Sequence, residues 1–158
     1  MTGKMSVPET QTDPIQEAID LVGGYMQAMN IRNSDAMDAL RSPDFYLDFV
    51  YDDAFQNQPL SGAATRDFWP AWFQAFPDGE FEVSRTIVAE SVVVVQWTFS
   101  GTQTGDLGDP VSNPPLRSTG RIACFRGVSI YDVEQGLISR ETTYLDLATV
   151  MVELGVTP

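Results

Sequence analysis

The chain has 158 residues, 43% of them hydrophobic and 20% charged, with 22 acidic against 9 basic side chains, a formal charge of −13 and no histidine. That is the size of one globular domain, and net repulsion of this strength argues against a nucleic acid or an anionic membrane as partner. The missing histidines remove imidazole triads and the usual transition-metal sites, and the single cysteine, Cys124, excludes an internal disulfide.

Residues 1–12 are polar, carry the only lysine (Lys4) and lack an apolar signal core, so a disordered leader on a cytoplasmic protein is expected. Asp13-Pro14-Ile15-Gln16 reads as a helix start, with an Asp cap, Pro in the first turn and a capping-box-like Gln. Ile15, Ala18, Ile19, Val22, Met26 and Met29 then mark one apolar face. Gly23-Gly24 interrupts that stripe, and close packing against another element is its expected reason. Asn33-Ser34-Asp35 starts a short second helix, which Ser42-Pro43-Asp44 is expected to stop. An aromatic segment from Phe45 to Tyr51 and a polar loop lead to a third helical pattern over about 63–76. Pro70 there predicts a kink or a new first turn.

From Glu80 the apolar period changes from 3.6 to 2, predicting antiparallel strands over 80–90, 91–102, 118–132 and 137–146. Tight reversals are expected at Ala89-Glu90-Ser91 and Val133–Gly136. The connection from Thr104 to Ser118, rich in Gly and Pro, reads as a lid or crossing loop. Asp146 caps a final helix, Leu147 to Leu154, ended by Gly155. The sum is an α+β domain over residues 13–158. About three N-terminal helices cover a cone-shaped half-barrel of curved antiparallel sheet, and a short C-terminal helix closes it. Both faces of Val92–Val95 are apolar, which suggests a partner on the outer face and hence a homodimer. No phosphate loop or calcium-loop spacing is present, so no metal or cofactor is expected.

The element order, Ala75-Phe76-Pro77-Asp78, the run from Val92 to Gly105, Gly136-Leu137-Ile138, and Tyr144-Leu145-Asp146 leading to Glu153-Leu154-Gly155-Val156 together resemble the SnoaL-like polyketide cyclases. Those proteins form a family of the nuclear transport factor 2-like superfamily. The resemblance implies a small-molecule pocket in the cone, homodimers, and a cofactor-independent aldol closure run by an aspartate acid/base. Counted back from Leu154-Gly155, the position of that aspartate is Thr143; counted back from Gly136, the position of the cyclases' pocket histidine is Ser129. Neither side chain titrates near neutral pH, so that proton transfer needs another group.

Strand parity supplies one, since Glu141 shares the face of Thr143 and could serve as a desolvated base; pairing with Arg121 or Arg140 is the alternative. Asp48, a charge among aromatic neighbours, is the second carboxylate candidate, with a capping, ion-pair or merely exposed role as its alternative. Ser129, Thr143 and one tyrosine are expected to bond a ligand oxygen. Trp97, Phe125, Tyr131 and Phe73 are the candidate lining, although ordinary core packing would also explain them. Arg121 is a candidate clamp for a ligand acid, against a snorkelling surface role. These residues predict a pocket for a small apolar molecule of polyketide or isoprenoid kind, turned over by cofactor-independent cyclisation, isomerisation or hydrolysis. Thr143 and Ser129 in place of the family's titrating pair keep a non-catalytic binder or a dimeric scaffold open as the alternative.

Overall fold

The computed structural model describes residues 13–50, 58–109 and 111–156. The expected leader, most of the polar loop after Tyr51, and Pro110 lie outside the described residues. Helix α1 (Pro14–Asn30) opens as its sequence directs: the Asp13 carboxylate accepts the Ile15 N–H at 3.0 Å. Gln16 does not complete a capping box; its amide donates to Asp20 at 2.8 Å, one turn along. The buried face of α1 is Ala18, Val22, Tyr25, Met26, Ala28 and Met29, while Ile15 is 46% exposed. Close packing does not account for both glycines. A Cβ at Gly23 would meet nothing within 4 Å, and one at Gly24 would make an ordinary 3.7 Å contact with Leu40.

Helix α2 (Ser34–Ala39) is capped by Asn33, whose side chain accepts the Ala36 N–H. Strand β1 (Arg41–Val50) starts immediately after Leu40, so Ser42-Pro43-Asp44 lies within a strand instead of a loop. The register explains how Pro43 fits: pairing with β6 jumps from Arg41–Ile138 to Tyr46–Arg140, and the residues between bulge out of the ladder, where a missing N–H costs nothing. Strand β2 (Leu60–Ser61) leads into α3 (Gly62–Ala75), capped by the Ser61 hydroxyl. Pro70 is carried inside α3 without ending it.

Strands β3 (Glu80–Ala89), β4 (Val92–Thr102), β5 (Ile122–Glu134) and β6 (Leu137–Leu145) follow, then α4 (Leu147–Leu154). They form one six-stranded sheet ordered β2-β1-β6-β5-β4-β3. Neighbours are antiparallel, as the short hairpins require for β3–β4 and β5–β6, except that β1 joins β6 in parallel. The four expected strands pair antiparallel, and the parallel pair is added by β1, which the apolar pattern does not mark as a strand. β1 and β6 are separated by most of the chain, so no hairpin fixes their relative direction. The β5–β6 reversal places Gln135 and Gly136 at φ 52° and 75°, the signature of a type I′ turn.

One sheet face is continuous across three strands. Val93, Val95, Trp97 and Phe99 of β4 pair in register with Tyr131, Ser129, Gly127 and Phe125 of β5; Tyr131 and Ser129 pair in turn with Glu141 and Thr143 of β6. Apart from the half-buried Gly127, all of these side chains are buried, and the four helices, Phe45 and Leu47 of β1, further strand residues and Leu107 complete the core. Asp146 caps α4 by accepting the Thr149 N–H at 3.1 Å, and Gly155 ends it in the left-handed conformation. Among the described residues no helix is long and apolar enough to cross a membrane.

Candidate functional site

The covered sheet face encloses a cavity of about 240 Å³. Its floor is Trp97, Phe125, Ser129, Tyr131, Glu141 and Thr143; α1 contributes Met26 and Met29, α3 contributes Trp69 and Trp72, and α4 contributes Val150 and Leu154. Leu107, Val111 and Leu116 line it from the 104–118 connection, which is pinned in three ways. Leu107 and Leu116 exchange backbone hydrogen bonds at 2.8 and 2.9 Å. The buried Gln103 carboxamide accepts from Thr119 and donates to the Arg117 carbonyl. Gly105 lies so close to the end of α3 that a Cβ there would sit 2.5 Å from the Gln74 carbonyl oxygen.

Glu141 is 2% exposed and is the one carboxylate among the described lining residues. Tyr25 donates to its Oε2 at 3.0 Å and Thr143 to its Oε1 at 3.1 Å; Tyr131 lies 3.5 Å from Oε1 and also 3.3 Å from the Met26 sulfur. The donor order behind Thr143 follows from the chemistry of each group. The Trp97 indole N–H can only donate, and it does so to Ser129 Oγ at 2.9 Å. Ser129 and Thr143 stand 2.7 Å apart, so with Thr143 donating to the carboxylate, Ser129 donates to Thr143. Both hydroxyl protons are therefore committed toward Glu141. The uncommitted donors on lining residues are the buried indole N–H groups of Trp69 and Trp72, which have no acceptor among the described residues.

Burial pushes the Glu141 carboxyl above the usual glutamate range, while the Arg41 charge and the three hydroxyl donors pull it part of the way back. Burial, reinforced by the Glu141 charge, holds Tyr25 and Tyr131 well above the usual tyrosine range, so both phenols stay protonated. Behind Tyr25 lies the buried Arg41. Its Nε and Nη2 donate to the Tyr25 oxygen at 3.1 and 2.5 Å, and Nη1 donates to Asp38 at 2.8 Å and to Thr65 at 3.0 Å.

The cavity thus brings together Glu141, Ser129, Thr143, Tyr131, Trp97 and Phe125 from the sequence candidates, and leaves three outside. Asp48 is in register with Thr142, so it stands on the other sheet face, where Arg140 approaches it at 3.5 Å. Phe73 is half-buried and stacks on Trp69 at 5.8 Å. The Arg121 guanidinium packs over Gly155 at the end of α4. Neither arginine weighed as a partner for Glu141 forms an ion pair with it among the described residues; the cation near it is Arg41. Tyr25 and Arg41 were the residues missed. Tyr25 continues the stripe of Ala18 and Val22 three residues on, a signal available in the sequence; Arg41 was hidden because the bulge at Pro43 disguised the start of β1.

Residues 19–154 match the SnoaL-like polyketide cyclase family. The chain belongs to that family. Solved structures agree at the level of fold. A SnoaL-like polyketide cyclase candidate from Jannaschia sp. CCS1 superposes with a TM-score of 0.78 at 19% identity, covering 95% of this chain and 99% of that one. AclR, a hydroxylase candidate from Streptomyces galilaeus, gives 0.76 at 19% identity over 91% and 84%. IdmH, a polyketide cyclase candidate from Streptomyces antibioticus, gives 0.71 at 21% identity over 88% and 99%. No curated protein matches the sequence significantly. As a SnoaL-like protein the chain has an α+β fold with one six-stranded sheet, N-terminal helices and a short C-terminal helix.

Proposed function

We propose that this SnoaL-like protein is a cofactor-independent acid/base enzyme whose base is Glu141, acting by cyclisation, isomerisation or hydrolysis on a small, mainly apolar, oxygenated molecule. The observation that carries the reading is a buried carboxylate, single among the described lining residues, in the wall of a mainly apolar cavity, its proton affinity raised by burial and its geometry fixed by three hydroxyl donors. A carboxylate in that setting accepts a proton more readily than one in water, which suits removal of an activated C–H or of a proton from water. Ser129 and Thr143 then orient Glu141, and a ligand oxygen has the Trp69 and Trp72 indoles as the wall's uncommitted donors. The half-buried Val92 and Val94 on the outer face support a homodimer, and a cytoplasmic location belongs to the same reading.

A substrate-independent probe tests the base directly. In 5-nitrobenzisoxazole a base takes the C3 proton, the C–H electrons form the nitrile and the N–O bond breaks, releasing a coloured cyanonitrophenolate. The full-length protein is expected to open this ring at a rate that Glu141→Gln lowers by about 100-fold or more. Equal rates in the two proteins, with the probe bound by both, would contradict the proposal and favour a non-catalytic binding protein.

A further inference from the structure

Tyr25 presents a hydrogen-bonding problem with one solution. Its phenol has one proton and two lone pairs, and Arg41 directs two N–H groups, Nε and Nη2, at the oxygen. Both lone pairs are thereby used, and the proton is left with the acceptor on the other side, Glu141 Oε2 at 3.0 Å. The guanidinium cannot turn away. It is 4% exposed, lies over the rings of Tyr25 and Phe45 at 5.2 and 4.4 Å, and has its remaining nitrogen bonded to Asp38 and Thr65. Thr65 is fixed in turn by donating to the Gly62 carbonyl, and Asp38 by a second cation, Arg66, at 3.1 Å.

We propose that Arg41 is the positioning residue of the site, holding the Tyr25 hydroxyl as an obligate donor to Glu141 and so keeping the carboxylate in its ionised, proton-accepting form. The inference rests on Glu141 being the base. The arrangement places a cation one hydroxyl away from the carboxylate. Direct contact would lower the carboxylate's proton affinity too far for a base, and with no cation burial would leave the acid protonated. The charged and titratable groups bearing on Glu141 are Tyr25 from α1, Arg41 from β1 and Tyr131 from β5, with Asp38 of α2 and Arg66 of α3 behind Arg41. Because Asp38 offsets part of the Arg41 charge, the two should act on Glu141 in opposite directions.

The test is the pH dependence of 5-nitrobenzisoxazole opening by the full-length protein, in which the acid limb reports protonation of the base. Arg41→Met and Tyr25→Phe are expected to move that limb up by about one pH unit. Arg41→Lys, which keeps the charge but not the fork, should move it less. Asp38→Asn should move it down. A purely structural role would lower rates without these opposed shifts, so an unmoved limb in Tyr25→Phe together with Asp38→Asn overturns the proposal, whether or not Arg41→Met folds. The infrared band of the protonated Glu141 carboxyl, identified by its loss in Glu141→Gln and followed over the same pH range, reads the same shifts without turnover. Opposed band shifts in a protein that does not open the ring would sustain the role of Arg41 while the base assignment fails.

Discussion

Glycine at 127 shows how one missing side chain builds part of the site. Gly127 faces Trp97 across the β4–β5 ladder, and the indole lies over the space where a Cβ would be. That approach lets Trp97 Nε1 reach Ser129, the first link of the donor chain ending on Glu141. Gly127→Ala should therefore cost about 1–3 kcal/mol in urea unfolding through overpacking and shift the Trp97 fluorescence as the ring leaves Ser129. Asp48 carries the opposite expectation: on the outer face beside Arg140, its change to Asn should leave ring opening in the cavity unaltered, measured beside Glu141→Gln. Glu141 was legible in the sequence because parity from Thr143 crosses no irregularity; the β5–β6 register shift lies between Asp132 and Val133, beyond Arg140. Arg41 was not legible, since its inward direction depends on a bulge that no local pattern announces.

Elements were read with more success than their pairing. Caps at Asp13 and Asp146, the period-2 runs and the two hairpins each follow from residues a few positions apart, and local chemistry decides them. The parallel β1–β6 pair joins segments about 90 residues apart and depends on the assembled fold. Helix α1 offers a clean test of propensity against packing. Gly23 is exposed in mid-helix with free space where a Cβ would go, so Gly23→Ala should stabilise the protein by about 0.5–1 kcal/mol in chemical denaturation. Hydrogen bonds from Thr149 hold the Asp146 carboxyl below the usual aspartate range at the start of α4. Its capping contribution is present above the unfolded aspartate's titration and is lost as pH falls through the lowered one. Acid should therefore loosen the α4 wall of the cavity before the sheet, visible as earlier amide exchange in residues 147–154.

For the whole molecule, the buried Glu141 imposes a pH dependence of definite sign. Its folded-state proton affinity is raised, so the stability it contributes is complete below the unfolded glutamate's titration, near pH 4.3. That contribution is lost as pH rises through the folded value. The difference in unfolding free energy between the protein and Glu141→Gln should change across that window and flatten above it. Self-repulsion from the −13 charge acts in the same direction but is nearly common to both proteins, so it largely cancels in the comparison.

The most direct measurement of the central claim is a carbon-13 titration of the glutamate carboxyls in the full-length protein, with the Glu141 signal identified by its absence in Glu141→Gln. A midpoint above the ordinary glutamate range, moving further up when an apolar probe such as 1-tetralone displaces water from the cavity, is the predicted result. A midpoint at or below the ordinary range, indifferent to the probe, would contradict a buried base facing the cavity.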